Sequence, residues 1–146
     1  MRTLLLSLVL PLLAVTEAAA AIPSPVRDIA AANRHYITAL QAGHPAEIAL
    51  DYEAGGRFLS ARADIRGRAQ LGAFFSSRMR GITLVSGSCA TRHLEVYGVT
   101  ATETGECRLV FERSGHVAKS EGPYVTVWAY DSSKKRWLIR FDVIPG

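Results

Sequence analysis

The sequence is short of the residues from which most catalytic and metal-binding motifs are built. It has four histidines, His35, His44, His93 and His116. No two of them share a spacing that sets ligands on one face of a helix or strand, so a metal centre is not expected. No glycine-rich loop is placed to cradle a phosphate. The nearest approach to a Gly-x-Ser-x-Gly turn, Gly87-Ser88, falls inside a β segment, and neither cysteine has a Cys/His context, which argues against nucleophilic catalysis. Lysine is scarce. The arginines are scattered in small groups: Arg62, Arg66 and Arg68, then Arg78 and Arg80, then Arg136 and Arg140. Without a basic helix or an aromatic-spaced basic stripe, the net charge of +4 reads as a solvated surface rather than a nucleic-acid footprint. Internal repeats are absent, and no cofactor is implied.

Long apolar runs are also lacking, with one exception at the N-terminus. There Met1-Arg2 precedes an apolar stretch from Leu4 to Val15 that contains Pro11. This is too short to span a bilayer, which takes about 20 residues. Thr16-Glu17-Ala18-Ala19-Ala20-Ala21 follows, with small residues at the cleavage positions, so residues 1–21 read as a secretory signal peptide cut near Ala20 or Ala21. No cysteine stands close enough for a lipid anchor, and there is no twin-arginine pair. The expected address is secreted or periplasmic, with no membrane association after cleavage. Residues 22–146, about 125 in number, suffice for a single domain with one core.

What that part contains is two kinds of periodicity in succession. Positions 25–42 read as a helix, with Ser24 as N-cap, Pro25 in the first turn, Asp28 at the positive end of the dipole and Gly43 beyond the last turn. Ile29, Asn33, Tyr36 and Leu40 fall on one face of it. An amide and a phenol on a core-facing stripe must find partners or look into a cavity. His35, about 100° round the helix from Tyr36, is expected to face solvent. A second short helix starts at Pro45, carries Ile48, Leu50 and Tyr52, and is expected to stop at Gly55-Gly56. A strand at 57–60, a connector with a brief strand at Ile65, and a third helix at 68–79 follow. Beyond Gly81 come four long β segments, at 82–97, 100–113, 121–130 and 135–144, separated by Gly98, Ser114-Gly115 and Asp131-Ser132-Ser133. Helices first and an antiparallel meander after imply an α+β fold, with three N-terminal helices packed on one face of a curved sheet.

The first hairpin yields a register. If its turn centres on Gly98, Cys89 lies opposite Cys107 on the same face, at a distance a disulfide bridges in an oxidising compartment. The same register sets His93 opposite Glu103, a structural pair if formed.

Three passages resemble the nuclear-transport-factor-2-like superfamily, which includes ketosteroid isomerases and SnoaL-like polyketide cyclases. They are Tyr36-Ile37-Thr38-Ala39-Leu40-Gln41-Ala42-Gly43 at the end of the first helix and Ile65-Arg66-Gly67-Arg68-Ala69 with Phe74 at the third. The last is the final hairpin, Glu121-Gly122-Pro123-Tyr124 through Val127-Trp128, then Arg136-Trp137-Leu138-Ile139 and Asp142. The resemblance implies a cystatin-like cone with an internal pocket between the first helix and the concave sheet, often as a homodimer built on the outer sheet face. It also implies that Tyr36 occupies the place of the isomerase tyrosine that donates to a developing oxyanion. The isomerase carboxylate falls at Ser60, and a serine without a partner is no general base near neutral pH.

The expected ligand-binding residues are Tyr36, Leu40, Tyr52, Phe58, Phe74 and Trp128, with Phe75, Met79 and Tyr124 converging on the same space. The expected catalytic pair, if there is one, is Tyr36 as donor and Asp142 as base. Asp142 follows Trp137 and Ile139 with the wrong parity, so a bulge is needed to turn it inward. The reading is an exported domain that binds a small hydrophobic molecule. Its alternatives are a SnoaL-like or isomerase-like proton-transfer enzyme and a homodimeric protein-association module.

Overall fold

The computed structural model describes residues 21–145. The signal-peptide reading and cleavage at Ala20 lie outside the described residues.

Helix α1, Val26–Gln41, ends in a Schellman motif. Gly43 takes φ 74°, its N–H donates to the Leu40 carbonyl, and the His44 N–H reaches back to Ala39 at 2.8 Å, which satisfies two carbonyls the helix leaves open. The second helix is a single 3₁₀ stretch, Pro45–Asp51, and it stops earlier than expected. Tyr52 opens strand β1, Tyr52–Ser60, because its carbonyl accepts from the Arg68 guanidinium, with Nε at 2.8 Å, instead of from the next helical turn. Gly55-Gly56 is therefore no helix stop. It lies inside β1 where the register against the last strand jumps. A Cβ on Gly56 would sit 2.9 Å from the Ile139 carbonyl oxygen, so only glycine lets the two backbones approach.

Strand β2, Ala63–Arg66, and helix α2, Arg68–Arg78, precede β3, Thr83–Tyr97, β4, Thr100–Arg113, β5, His116–Asp131, and β6, Arg136–Ile144. The sheet has six strands in the order β2-β1-β6-β5-β4-β3, all antiparallel except the parallel β1–β6 pair. The meander of β3 to β6 is thus extended by the two short early strands. Strand β5 begins at His116 rather than near Glu121, because Ser114 and Gly115 both take positive φ and close a two-residue turn whose twist matches the strands. Helix α1 lies on β3, and α2 packs on the 3₁₀ stretch and β1. The core between them is built on Ile29, Leu40, Tyr52, Leu71, Leu84 and Trp128. Trp137, 1 % exposed, fastens the N-terminal segment to β6. Its indole donates to the Pro23 carbonyl and its backbone N–H to Asp28, both at 2.8 Å.

The Cys89–Cys107 disulfide forms, with Cα atoms 4.1 Å apart, but by a different route from the one expected. The turn is the pair Gly98-Val99, flanked by Tyr97 opposite Thr100. Carried straight down the hairpin, that turn would put Cys89 opposite Arg108. A bulge between Thr91 and His93 shifts the register by one and brings the cysteines together. The expected His93–Glu103 pair lies on the turn side of that bulge and keeps the register of the turn, so His93 lies opposite Thr104 and Leu94 opposite Glu103.

Candidate functional site

Between α1 and the concave face of the sheet lies a cavity of about 210 Å³. Tyr36, Tyr52, Phe58, Tyr124 and Trp128 give it aromatic walls, and Ala32, Ile48, Leu109 and Ile139 aliphatic ones. Past Tyr36, Phe58 and Leu109 it adjoins an outer groove of about 790 Å³ lined by Leu40, Phe74, Phe75 and Met79, with Arg62, Arg78, Arg113 and His116. The disulfide forms part of the inner wall.

Two polar centres are built into this apolar chamber. The first is Asp142. A second bulge makes it possible: Val127 pairs with Phe141 but Trp128 pairs with Ile139, so Arg140 is the extra residue, and its side chain turns out to Glu53 at 3.0 Å. Ile139 and Asp142, three residues apart, consequently share the inner face. The Asp142 carboxylate accepts from Tyr52 Oη at 3.0 Å and Thr126 Oγ1 at 2.9 Å. The surface it retains looks into the cavity. Loss of water pushes its pKa up to about 6; the bonds from Thr126 and Tyr52 pull the other way, and the Glu103 charge adds to the rise. The Tyr36 phenol, raised to about 12 chiefly by burial and then by the Asp142 charge, with Arg78 opposing, forms no hydrogen bond among the described residues. No buried side-chain polar atom there is left without a partner, so the Tyr36 hydroxyl meets open space on the boundary of the cavity and the groove, both of which Tyr36 lines.

The second centre is Glu103, 0 % exposed and set behind the wall. Tyr124 Oη and Thr91 Oγ1 donate to its Oε1 at 2.6 Å, Asn33 Nδ2 to the same oxygen at 3.0 Å, and Trp128 Nε1 to Oε2 at 3.0 Å. Four donors on two oxygens is the set an ionised carboxylate accepts. The Tyr124 pKa is raised by burial first and by this bond second. Gly105, opposite Tyr124 on β4, makes the arrangement fit, because a Cβ there would overlap the Tyr124 ring.

Neither a protein-family model nor a curated protein matches the sequence. Solved structures match the shape. A ketosteroid isomerase-like protein from Erwinia carotovora atroseptica is 13 % identical, with 80 % of this chain and 92 % of that one covered at a TM-score of 0.68. A nuclear transport factor 2-like superfamily protein from Salmonella enterica serovar Typhimurium is 19 % identical, covering 82 % and 89 % at 0.67. The chain has the nuclear-transport-factor-2-like fold. A Catenulispora acidiphila structure in complex with S-DNPA, 13 % identical over 82 % of this chain and 91 % of its own with a TM-score of 0.66, shares this cone. At these identities the likeness is one of fold.

Within the cone, the residues singled out from sequence divide between the two spaces. Tyr36 and Phe58 border both, Tyr52, Tyr124, Trp128 and Asp142 line the inner cavity, and Leu40, Phe74, Phe75 and Met79 line only the outer groove. Ser60 lies on the groove as well, with its hydroxyl 3.4 Å from the Arg62 N–H. His35 does not face free solvent. Its Nδ1 lies 2.6 Å from Asp51 Oδ2, because the 3₁₀ stretch folds back beside α1, and Arg136 holds the other Asp51 oxygen at 3.0 Å. Sequence reasoning missed Glu103 as a centre. The available signal was its inward parity between two small residues, Ala101 and Gly105, where a carboxylate must gather donors.

Proposed function

We propose that the inner cavity of this cone binds a small, mainly apolar molecule carrying one polar group, and that the protein works outside the cytoplasm. The observation that carries the reading is the pairing of an apolar chamber with an uncommitted Tyr36 hydroxyl beside a cavity-facing Asp142. Sites of this kind are concave, largely apolar and furnished with a few convergent polar groups. The volume of about 210 Å³ exceeds the ~150 Å³ of a dry engineered cavity that takes benzene, so one substituted ring fits and a longer molecule continues into the outer groove. The disulfide supports an oxidising compartment. Titration of the purified protein with benzyl alcohol, followed by Trp fluorescence, tests the reading. Binding is expected for the natural chain and lost in Ala32→Trp, which fills the chamber. Equal response from both proteins would place the binding elsewhere.

A second reading, proton transfer, is favoured by one observation: Asp142, at about 6, is poised near neutrality and shares the cavity with a phenol able to stabilise an oxyanion. Exchange of the α-protons of phenylacetone into D₂O, faster with the natural protein than with Asp142→Asn, would support it. Equal rates would remove it. For assembly, Leu59, Phe141 and Val143 share the outer face of the sheet, half-buried, with the Arg57 guanidinium over the Phe141 ring, and this face is the one proposed to meet a second copy.

A further inference from the structure

The charged groups around the inner cavity are all of one sign. Asp51, Glu121 and Asp142 line it, and among the described residues no lysine, arginine or histidine does. Two of the three acids already have cations. Asp51 is held by Arg136, and Glu121, at the mouth, by Arg108. Among the described residues the donors to Asp142 are all neutral: Tyr52, Thr126 and the Val143 backbone N–H. Glu103, whose charge reaches Asp142, has only Asn33, Thr91, Tyr124 and Trp128. Two carboxylates therefore share one apolar interior without a counter-cation bonded to either. Buried charge of this kind is unfavourable until paired. The cavity lies beside them, and five aromatic rings line it, each able to present a negative face to a cation. Tyr36, whose hydroxyl has no hydrogen-bond partner among the described residues, borders the same space and offers an acceptor oxygen. The arginines that border the outer groove are exposed and line only that groove; the Arg78 charge reaches Tyr36 but is not among the influences on Asp142.

We infer that the ligand of the inner cavity is a small aromatic or aliphatic amine, bound as the ammonium ion with its charge against Asp142. The inference rests on the cavity being a small-molecule site, and narrows the class of molecule it takes. The ammonium supplies the missing counter-charge to Asp142, donates to its carboxylate and to Tyr36 Oη, and lies among the faces of Tyr52 and Trp128. Neutral isosteres keep the ring contacts and lose the charge. Anions meet two carboxylates.

Three probes of one size separate the possibilities: benzylamine, benzyl alcohol and benzoate, each titrated into ¹⁵N-labelled protein while the Trp128 indole N–H signal is followed. Benzylamine is expected to bind roughly tenfold or more tighter than benzyl alcohol, the scale of a charge-assisted contact out of water, and benzoate least. In Asp142→Asn the advantage of the amine is expected to vanish while benzyl alcohol still binds, which also shows that the variant is folded. Within the natural protein, benzylamine affinity should fall as pH drops from 7.5 to 5, because Asp142 gains its proton there. The probe itself stays charged, because an amine of this kind titrates well above the range used. The groups facing Asp142 are Tyr52, Thr126, Tyr36 and Glu103; a pH response of benzyl alcohol equal to that of benzylamine would assign the effect to the cavity wall and overturn the inference. Benzyl alcohol binding as well as or better than benzylamine would also overturn it and leave the cavity as a site for neutral ligands. Failure of all three to shift the Trp128 signal would overturn both the inference and the site.

Discussion

Replacing Asp142 with asparagine is expected to stabilise the folded protein at alkaline pH and to do little at acidic pH. In the folded state the carboxyl titrates at about 6, against an ordinary 3.8. A carboxyl whose folded pKa lies above its unfolded value opposes folding wherever it must ionise, so its penalty is full above pH 6 and is relieved as pH falls toward 4. Two units correspond to about 3 kcal/mol. Part of the gain is lost in the variant, since the amide has one acceptor oxygen and Thr126 and Tyr52 both donate to the natural side chain. A net gain of about 1–2 kcal/mol remains, or on the order of 5 °C in Tm for a domain of this size. Differential scanning calorimetry of the ligand-free protein and Asp142→Asn from pH 4.5 to 8 measures it. The difference in Tm should grow through pH 6 and level off near pH 7.5. A variant less stable than the natural protein at pH 8, or a difference that does not change with pH, would mean that the carboxylate is well solvated and that the assigned loss of water at Asp142 is wrong.

Other consequences follow from single contacts. Glu103→Ala leaves the donors of Asn33, Thr91, Tyr124 and Trp128 without their acceptor, so urea unfolding should show a loss of about 3 kcal/mol or more; a loss under 1 kcal/mol would mean that water replaces the carboxylate at no cost. Gly105→Ala should displace Tyr124 from the sheet and cost about 2 kcal/mol, with the Tyr124 ring resonances shifting in NMR spectra. The double replacement of Cys89 and Cys107 by serine should lower stability by about 3 kcal/mol, the chain-entropy value for a loop of this length, as read by guanidinium unfolding without reductant. Light scattering after size exclusion is expected to give a dimer mass, and Phe141→Glu on the outer face a monomer; a monomeric natural chain would remove the assembly proposal.

The order of the elements was legible because their local signals are strong. Gly43 after the stripe of α1, the Ser114-Gly115 turn and the long alternating strands each act within a few residues. The site was harder to read because two single-residue bulges govern it, and a bulge carries little local signature. The one at Arg140 turns Asp142 inward, as its parity required. The one near Arg92 undoes the register of a turn one residue away from where it was expected, so the Cys89–Cys107 pairing held while the His93–Glu103 pairing did not. Tyr52 was assigned to a helix because Ile48, Leu50 and Tyr52 continue an apolar pattern too short to separate helix from strand. Its actual place depends on Arg68, a contact made only in the folded chain. His35 shows the same limit, since its partner Asp51 reaches it only after the 3₁₀ stretch folds back.

The most direct measurement is the location of a bound probe. Intermolecular NOEs collected on the protein saturated with benzyl alcohol should connect the aromatic protons of the probe to the methyl groups of Ala32, Ile48 and Ile139, which line the inner cavity. Those contacts would place the ligand between Tyr36 and Asp142. NOEs confined to the outer groove or to Leu59 and Val143 on the opposite face of the sheet, with none to Ile48 or Ile139, would contradict the assignment of this cavity as the binding site.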